Sequence, residues 1–80
     1  MKKILVIEDN IEVRENIVEI LELYGYEVNE AQNGKIGVQK ALANTPHLIL
    51  CDVMMPELDG FGVLNILSRK PKQHIFPLYF

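Results

Sequence analysis

Two acidic residues, Glu8 and Asp9, follow the apolar run at positions 4–7. A third, Asp52, follows the apolar run at 48–51 in the stretch "LILCDVMMPELDG". A carboxylate at the end of a buried run resists burial unless something pairs with it. Acids gathered in one place repel, and at least one is pushed towards protonation unless a cation joins them. A hard divalent ion such as Mg2+ takes oxygen ligands and keeps several waters, so a few carboxylates and a backbone carbonyl suffice to hold it. An aspartate can also attack phosphorus to form an acyl phosphate, with a metal neutralising charge on the group in transit. The plainer alternative is that each acid merely caps the helix that follows it. That both apolar runs end in acids favours a shared site.

The elements that must position these acids read off the periodicity. The run 4–7 is rich in β-branched residues and is expected as a strand covered on both faces. Asn10 is a natural N-cap, with Glu12 in the first helical turn. Val13, Ile17, Ile20, Leu21 and Tyr24 then recur at helical spacing opposite Glu15, Glu19 and Glu22, and Gly25 is a natural terminator. "YEVNEA" alternates as a second strand. Asn33-Gly34 is a turn signal. Residues 36–43 look helical, with Ala41 and Leu42 inward and Gly37 as a weak point. "HLILC" is a third strand, "DVMMPELDG" a loop, and 61–67 another helix with Arg69 and Lys70 towards its end. "IFPLYF" has strand composition, and Pro77 suggests a strand start or an edge.

The resulting order, β-α-β-α-β-α-β, implies parallel pairing and right-handed crossovers. In an open parallel sheet, ligands bind beyond the carboxyl ends of the strands. If the first and third strands are neighbours, Glu8, Asp9 and Asp52 converge there.

Composition sets bounds. Eighty residues make one domain at most, 1–80, and a hydrophobic share of 49% argues against disorder. A net charge of -3 offers no footprint for nucleic acid or an anionic membrane. A single cysteine, Cys51, excludes an internal disulfide and fits a reducing cytosol. No signal segment or membrane span is visible, so a soluble cytoplasmic protein is expected. Cys51 reads as a small buried hydrophobe whose alternation points it away from the acids. His47 and His74 lack metal-like spacing and read as surface or strand-start residues. Arg69, Lys70 and Lys72 complement a helix C-terminus. Tyr24 and Tyr26 read as core or rim packing. Met54 and Met55 read as lining a site loop rather than a sticky partner surface. No EF-hand, Walker or dinucleotide-binding spacing is present.

With these residues in view, the chain resembles the receiver domain of bacterial two-component response regulators. "ILVIEDN", "LELYGYEV", "AQNGKIGVQKAL", "PHLILCDVMMPELDGFGVL" and "FPLYF" appear in family order across essentially the whole chain. The resemblance implies a flavodoxin-like α/β three-layer sandwich with a parallel sheet. It implies Asp52 as phosphoacceptor and Mg2+ held by Glu8, Asp9, Asp52 and the backbone carbonyl of Met54. Met55-Pro56 and Asp59-Gly60 match the loop that shapes the site. The partner implied is a sensor histidine kinase or phosphotransfer protein, and the module is not a turnover enzyme. His47 departs from a usual aspartate and Gly37 from a usual alanine.

The sequence stops at Phe80, short of the family's phosphate-bonding Ser or Thr and its Lys. By this comparison only the N-terminal portion is present, with strands ordered 2-1-3-4 and the fifth strand and last helices absent. The resemblance then implies a bare apolar surface on the first helix and an exposed edge at the fourth strand, with self-association, partner docking or poor stability as the expected consequence, and impaired phosphorylation. Two alternatives stay open. One is a Mg-dependent phosphohydrolase with an Asp nucleophile, which needs a second acid where Met54 stands. The other is a non-signalling α/β interaction fragment.

Overall fold

The computed structural model describes residues 2–67 and 75–78. The elements run β1 (Lys3–Ile7), α1 (Ile11–Leu23), β2 (Glu27–Ala31), α2 (Gly34–Asn44), β3 (Leu48–Asp52), α3 (Gly60–Leu67) and β4 (Ile75–Leu78). All pairings are parallel and the strand order is β2-β1-β3-β4, as the resemblance implies. β1 and β3 are therefore neighbours, with Ile7 level with Cys51.

The chain moves one way across the sheet from β1 to β2 and the other way from β2 through β3 to β4. Right-handed crossovers then place α1 on one face and α2 with α3 on the other. Contacts agree: among the described residues α1 packs on β1 and β2 and touches neither other helix, whereas α2 and α3 pack on each other.

Alternation along the strands feeds two apolar layers. Leu5, Ile7, Ile49 and Cys51 join Ala41, Val63 and Leu67 in one cluster under α2 and α3. Ile4 and Val6 are buried on the opposite face. The unbroken apolar run of β1 thus reflects a strand covered on both sides.

Helix ends follow local chemistry. The Asn10 side-chain oxygen accepts from the Val13 N–H at 3.1 Å and starts α1. Gly25, at φ 87, takes the left-handed conformation that stops it. Pro77 lies in β4, which pairs only with β3 among the described residues, in line with the edge position its composition suggested.

Several expectations need correction. Ile20 and Tyr24, placed on the inward stripe of α1, are exposed, and α1 contributes no fully buried residue. The stripe drifts because α1 covers only β1 and β2, so just Val13, Ile17 and Leu21 on its periodic face are half-buried. Leu42 is half-exposed, while Ala41 is buried as expected. Asn33-Gly34 begins α2 instead of forming a separate turn: the Asn33 side chain caps the Ile36 N–H at 2.8 Å. Gly37 is a packing requirement more than a weakness, since a Cβ there would meet Ile7 Cδ1 at 2.4 Å. Arg69, Lys70, Lys72 and His74 lie outside the described residues.

An acidic site at the carboxyl edge of the sheet

Glu8 and Asp52 come one step after the paired residues Ile7 and Cys51, so the parallel register delivers both to the same edge. Oxygen atoms of Glu8, Asp9 and Asp52 lie within 4.8 Å of one another. The three acids singled out in the sequence do gather. Glu8 and Asp52 are buried, at 2% and 5% exposure, and Asp9 is exposed.

Each buried acid is held by the chain that follows it. Glu8 Oε2 accepts the Asn10 N–H at 3.0 Å, and Asp52 Oδ1 accepts the Met54 N–H at 3.0 Å. Short Asx-type turns of this kind fix a carboxylate's orientation with its own backbone. Met54 points its side chain to solvent, 74% exposed, while Met55 is buried beneath the loop.

Glu8 Oε1 accepts no hydrogen bond from any described donor; its nearest polar neighbours are the carboxylates of Asp9 and Asp52. Among the described residues it is the one buried side-chain oxygen left without a hydrogen bond. An unsatisfied buried carboxylate oxygen is costly. Burial pushes the Glu8 carboxyl up to about 7 from its ordinary 4.5, the bond from Asn10 opposes this, and Asp9 and Asp52 raise it further. A divalent cation set among the three acids would satisfy that oxygen and cancel the repulsion, so the residues present fit a hard, oxygen-preferring ion. Cys51 is buried beside the site with its thiol pushed up to about 12, by burial first and then by the charges of Asp52, Glu8 and Asp59. That keeps it protonated, in line with the reading of a small hydrophobe.

The β3–α3 loop is fixed from outside. Asp59 Oδ1 accepts the Gly62 N–H at 2.9 Å, capping α3. The Leu58 carbonyl lies where a Cβ on Gly34 would come within 2.3 Å, so only glycine at the start of α2 admits this approach. Arg14 is a site neighbour that the sequence reading passed over. Its Nη1 donates to the Glu8 carbonyl and its Nε to Glu30 Oε1, each at 2.9 Å. The available signal was a cation on the half-buried flank of α1, one helical turn after Asn10.

A doubly wound parallel sheet with buried acids at the carboxyl edge, where its strand order reverses, defines an α/β protein with an acidic cluster at its topological switch point. The family model "Response regulator receiver domain" matches residues 4–78. The chain belongs to the response regulator receiver domain family of two-component systems.

Among curated relatives, the transcriptional regulatory protein CpxR homolog of Haemophilus influenzae is 44% identical over 69 residues, 86% of this chain and 30% of that protein. The chain spans less than a third of the length of the first such relatives. Among solved structures, the response regulator TrrA of Thermotoga maritima in complex with Mg(2+)-BeF is 34% identical, with a TM-score of 0.94 over 99% of this chain and 70% of that one. A second structure, of histidine kinase ThkA in complex with TrrA, matches at 34% identity and a TM-score of 0.90, covering 99% of this chain and 69% of that one.

Proposed function

We propose that Asp52 accepts a phosphoryl group from the phosphohistidine of a sensor histidine kinase or phosphotransfer protein, as part of a receiver domain to which residues 1–80 contribute β1 through β4. Mg2+ is the cation of this reading, held by Glu8, Asp9, Asp52 and the Met54 carbonyl, and it supplies charge neutralisation for the group in transit. An Asp52 oxygen attacks phosphorus, the P–N bond to the imidazole breaks, and the imidazole keeps the electron pair and takes up a proton. Asp52 Oδ1 is already tied to the Met54 N–H, which orients the carboxylate before attack. The protein is itself the substrate, so it is modified once per cycle and does not turn over an external compound. The observation that carries the reading is the buried, unpartnered Glu8 oxygen within the acidic cluster. The Mg(2+)-BeF complex of TrrA and the ThkA–TrrA complex supply the analogy for ion and partner.

The phosphohydrolase alternative is disfavoured because the residue two places after Asp52 is an exposed methionine and cannot protonate a leaving group. No helix among the described residues is long and apolar enough to cross a membrane. Cytoplasmic placement belongs to the same proposal.

The test is intact mass after incubation with a small phosphodonor and Mg2+. The expected result is a gain of one phosphoryl group in the wild type and none in Asp52→Asn or after chelation. No gain in the wild type, or an equal gain in Asp52→Asn, rejects Asp52 as acceptor.

A further inference from the structure

We infer that Arg14 is a positioning residue for the cation site, clamping the Glu8-Asp9 segment to the end of β2 so that the two carboxylates meet Asp52. This rests on the reading of the acidic site given above.

Arg14 leaves α1 with a side chain only 12% exposed, which is unusual for a cation unless its donors are used. They are used on two different elements. Nη1 donates to the Glu8 carbonyl, the peptide that joins the two acids, and Nε donates to the Glu30 carboxylate on β2. A planar guanidinium fixes both acceptors at once, which a lysine ammonium on a flexible stem does not do in the same geometry. Turning the Glu8-Asp9 peptide plane would swing the exits of both side chains, and Arg14 resists that rotation. Other bonds to the segment are local or backbone: Glu8 N–H to the Ala31 carbonyl at 3.1 Å, Asn10 N–H to Glu8, and Arg14 N–H to the Asn10 carbonyl at 2.9 Å. The clamp thus ties three elements, α1, β1 and β2, at the metal edge. Groups that orient ligands from outside the coordination sphere commonly control metal affinity 10–100-fold.

Geometry and charge make opposite forecasts for this residue. Removing a nearby cation without moving the acids makes the site more negative and tightens a divalent ion. Removing a clamp loosens it. The experiment is an amide-shift NMR titration with MgCl2 at fixed ionic strength on the whole chain, comparing wild type, Arg14→Ala, Arg14→Lys and Glu30→Gln, with thermal melts in the metal-free state as a check of folding.

The expected outcome is Mg2+ affinity about 10-fold or more weaker in Arg14→Ala, weaker by less in Arg14→Lys, and a few-fold weaker in Glu30→Gln, which loses the ionic anchor of the clamp. Unchanged or tighter binding in a folded Arg14→Ala overturns the proposal. If that variant does not fold, unchanged binding in Glu30→Gln overturns it. Asp52→Asn is titrated beside them: if it binds Mg2+ as the wild type does, the site itself has been misplaced and the clamp falls with it.

Discussion

Under α2 and α3 the sheet buries Leu5, Ile7, Ile49 and Cys51 to 1% exposure or less. Across the sheet, Ile4 and Val6 are covered but Leu48 and Leu50 beside them are only half-buried, and α1 itself buries nothing completely. The two faces hold the two halves of the site by different means. Asp52 and its loop are fixed by packing: a close-packed strand behind it, Met55 tucked below, and the Leu58 backbone against Gly34. The Glu8-Asp9 segment is held by hydrogen bonds to Glu8, including the charged one that Arg14 donates to its carbonyl while also bonding Glu30. Packing is stiff and insensitive to pH, whereas charged hydrogen bonds are directional and respond to protonation and salt. Asp52 is therefore set rigidly, and the Glu8-Asp9 segment is set electrostatically.

The largest difference is expected from matched truncations. Ile49→Ala removes a fully buried side chain from the packed face and should cost about 2–5 kcal/mol of unfolding free energy. Leu21→Ala, on a half-buried helix face, should cost under about 1.5 kcal/mol, because less surface leaves water and the site can collapse. Urea denaturation of the pair measures both. Comparable losses would mean that α1 is packed as tightly as α2 and α3 and that the contrast between the faces is false.

The next effect isolates the electrostatic half. Glu8 in the folded protein holds its proton up to about 7, against 4.5 ordinarily. Between those values the native state binds more protons than the unfolded state. Metal-free stability should therefore be highest below about 4.5, as far as this group decides it, and be lost as pH rises through about 7. The size follows from the shift, on the order of 3 kcal/mol. Glu8→Gln should flatten this slope, and saturating Mg2+ should reverse it, since the ion takes the deprotonated form. Thermal melts across that range, with chelator and with MgCl2, show whether the slope belongs to Glu8. An unchanged slope in Glu8→Gln assigns it to another group.

The same contrast decides what could be read from the sequence. Glu8, Asp9 and Asp52 were legible because a charge ending an apolar run is anomalous wherever the run is buried. The β-α alternation was legible because short apolar runs and helical spacing are local signals. The strand order came from the family resemblance, since nothing in local periodicity says which strands are neighbours. Ile20 and Tyr24 were misplaced because a helix lying over two strands buries a narrower stripe than its hydrophobic pattern offers. Gly34 and Gly37 read as turn and weak point because their reason lies in Leu58 and Ile7, on other elements. Arg14 escaped notice because a cation in an amphipathic helix ordinarily faces solvent. Its partners, Glu8 and Glu30, are assembled only by the fold.

The smallest effect concerns the packed side of the site. Glu57, in the β3–α3 loop, has φ 65, a left-handed conformation that costs a residue with a Cβ about 1 kcal/mol or more. The turn cannot relax by sliding, because the next residue, Leu58, has its carbonyl wedged against Gly34, and Asp59 caps α3. Glu57 is itself exposed, and its side chain makes none of the hydrogen bonds or ion pairs found among the described residues. Glu57→Gly should remove the strain but give the unfolded chain more freedom, leaving a net gain of about 0.5–1 kcal/mol. In a domain of this size that is a rise of a few degrees in Tm. If the loop is as firmly held as its two anchors imply, the gain appears in stability while Mg2+ affinity stays at the wild-type value. A fall in Mg2+ affinity in Glu57→Gly would show instead that the loop depends on Glu57 for its shape, and that packing alone does not set the Asp52 side of the site.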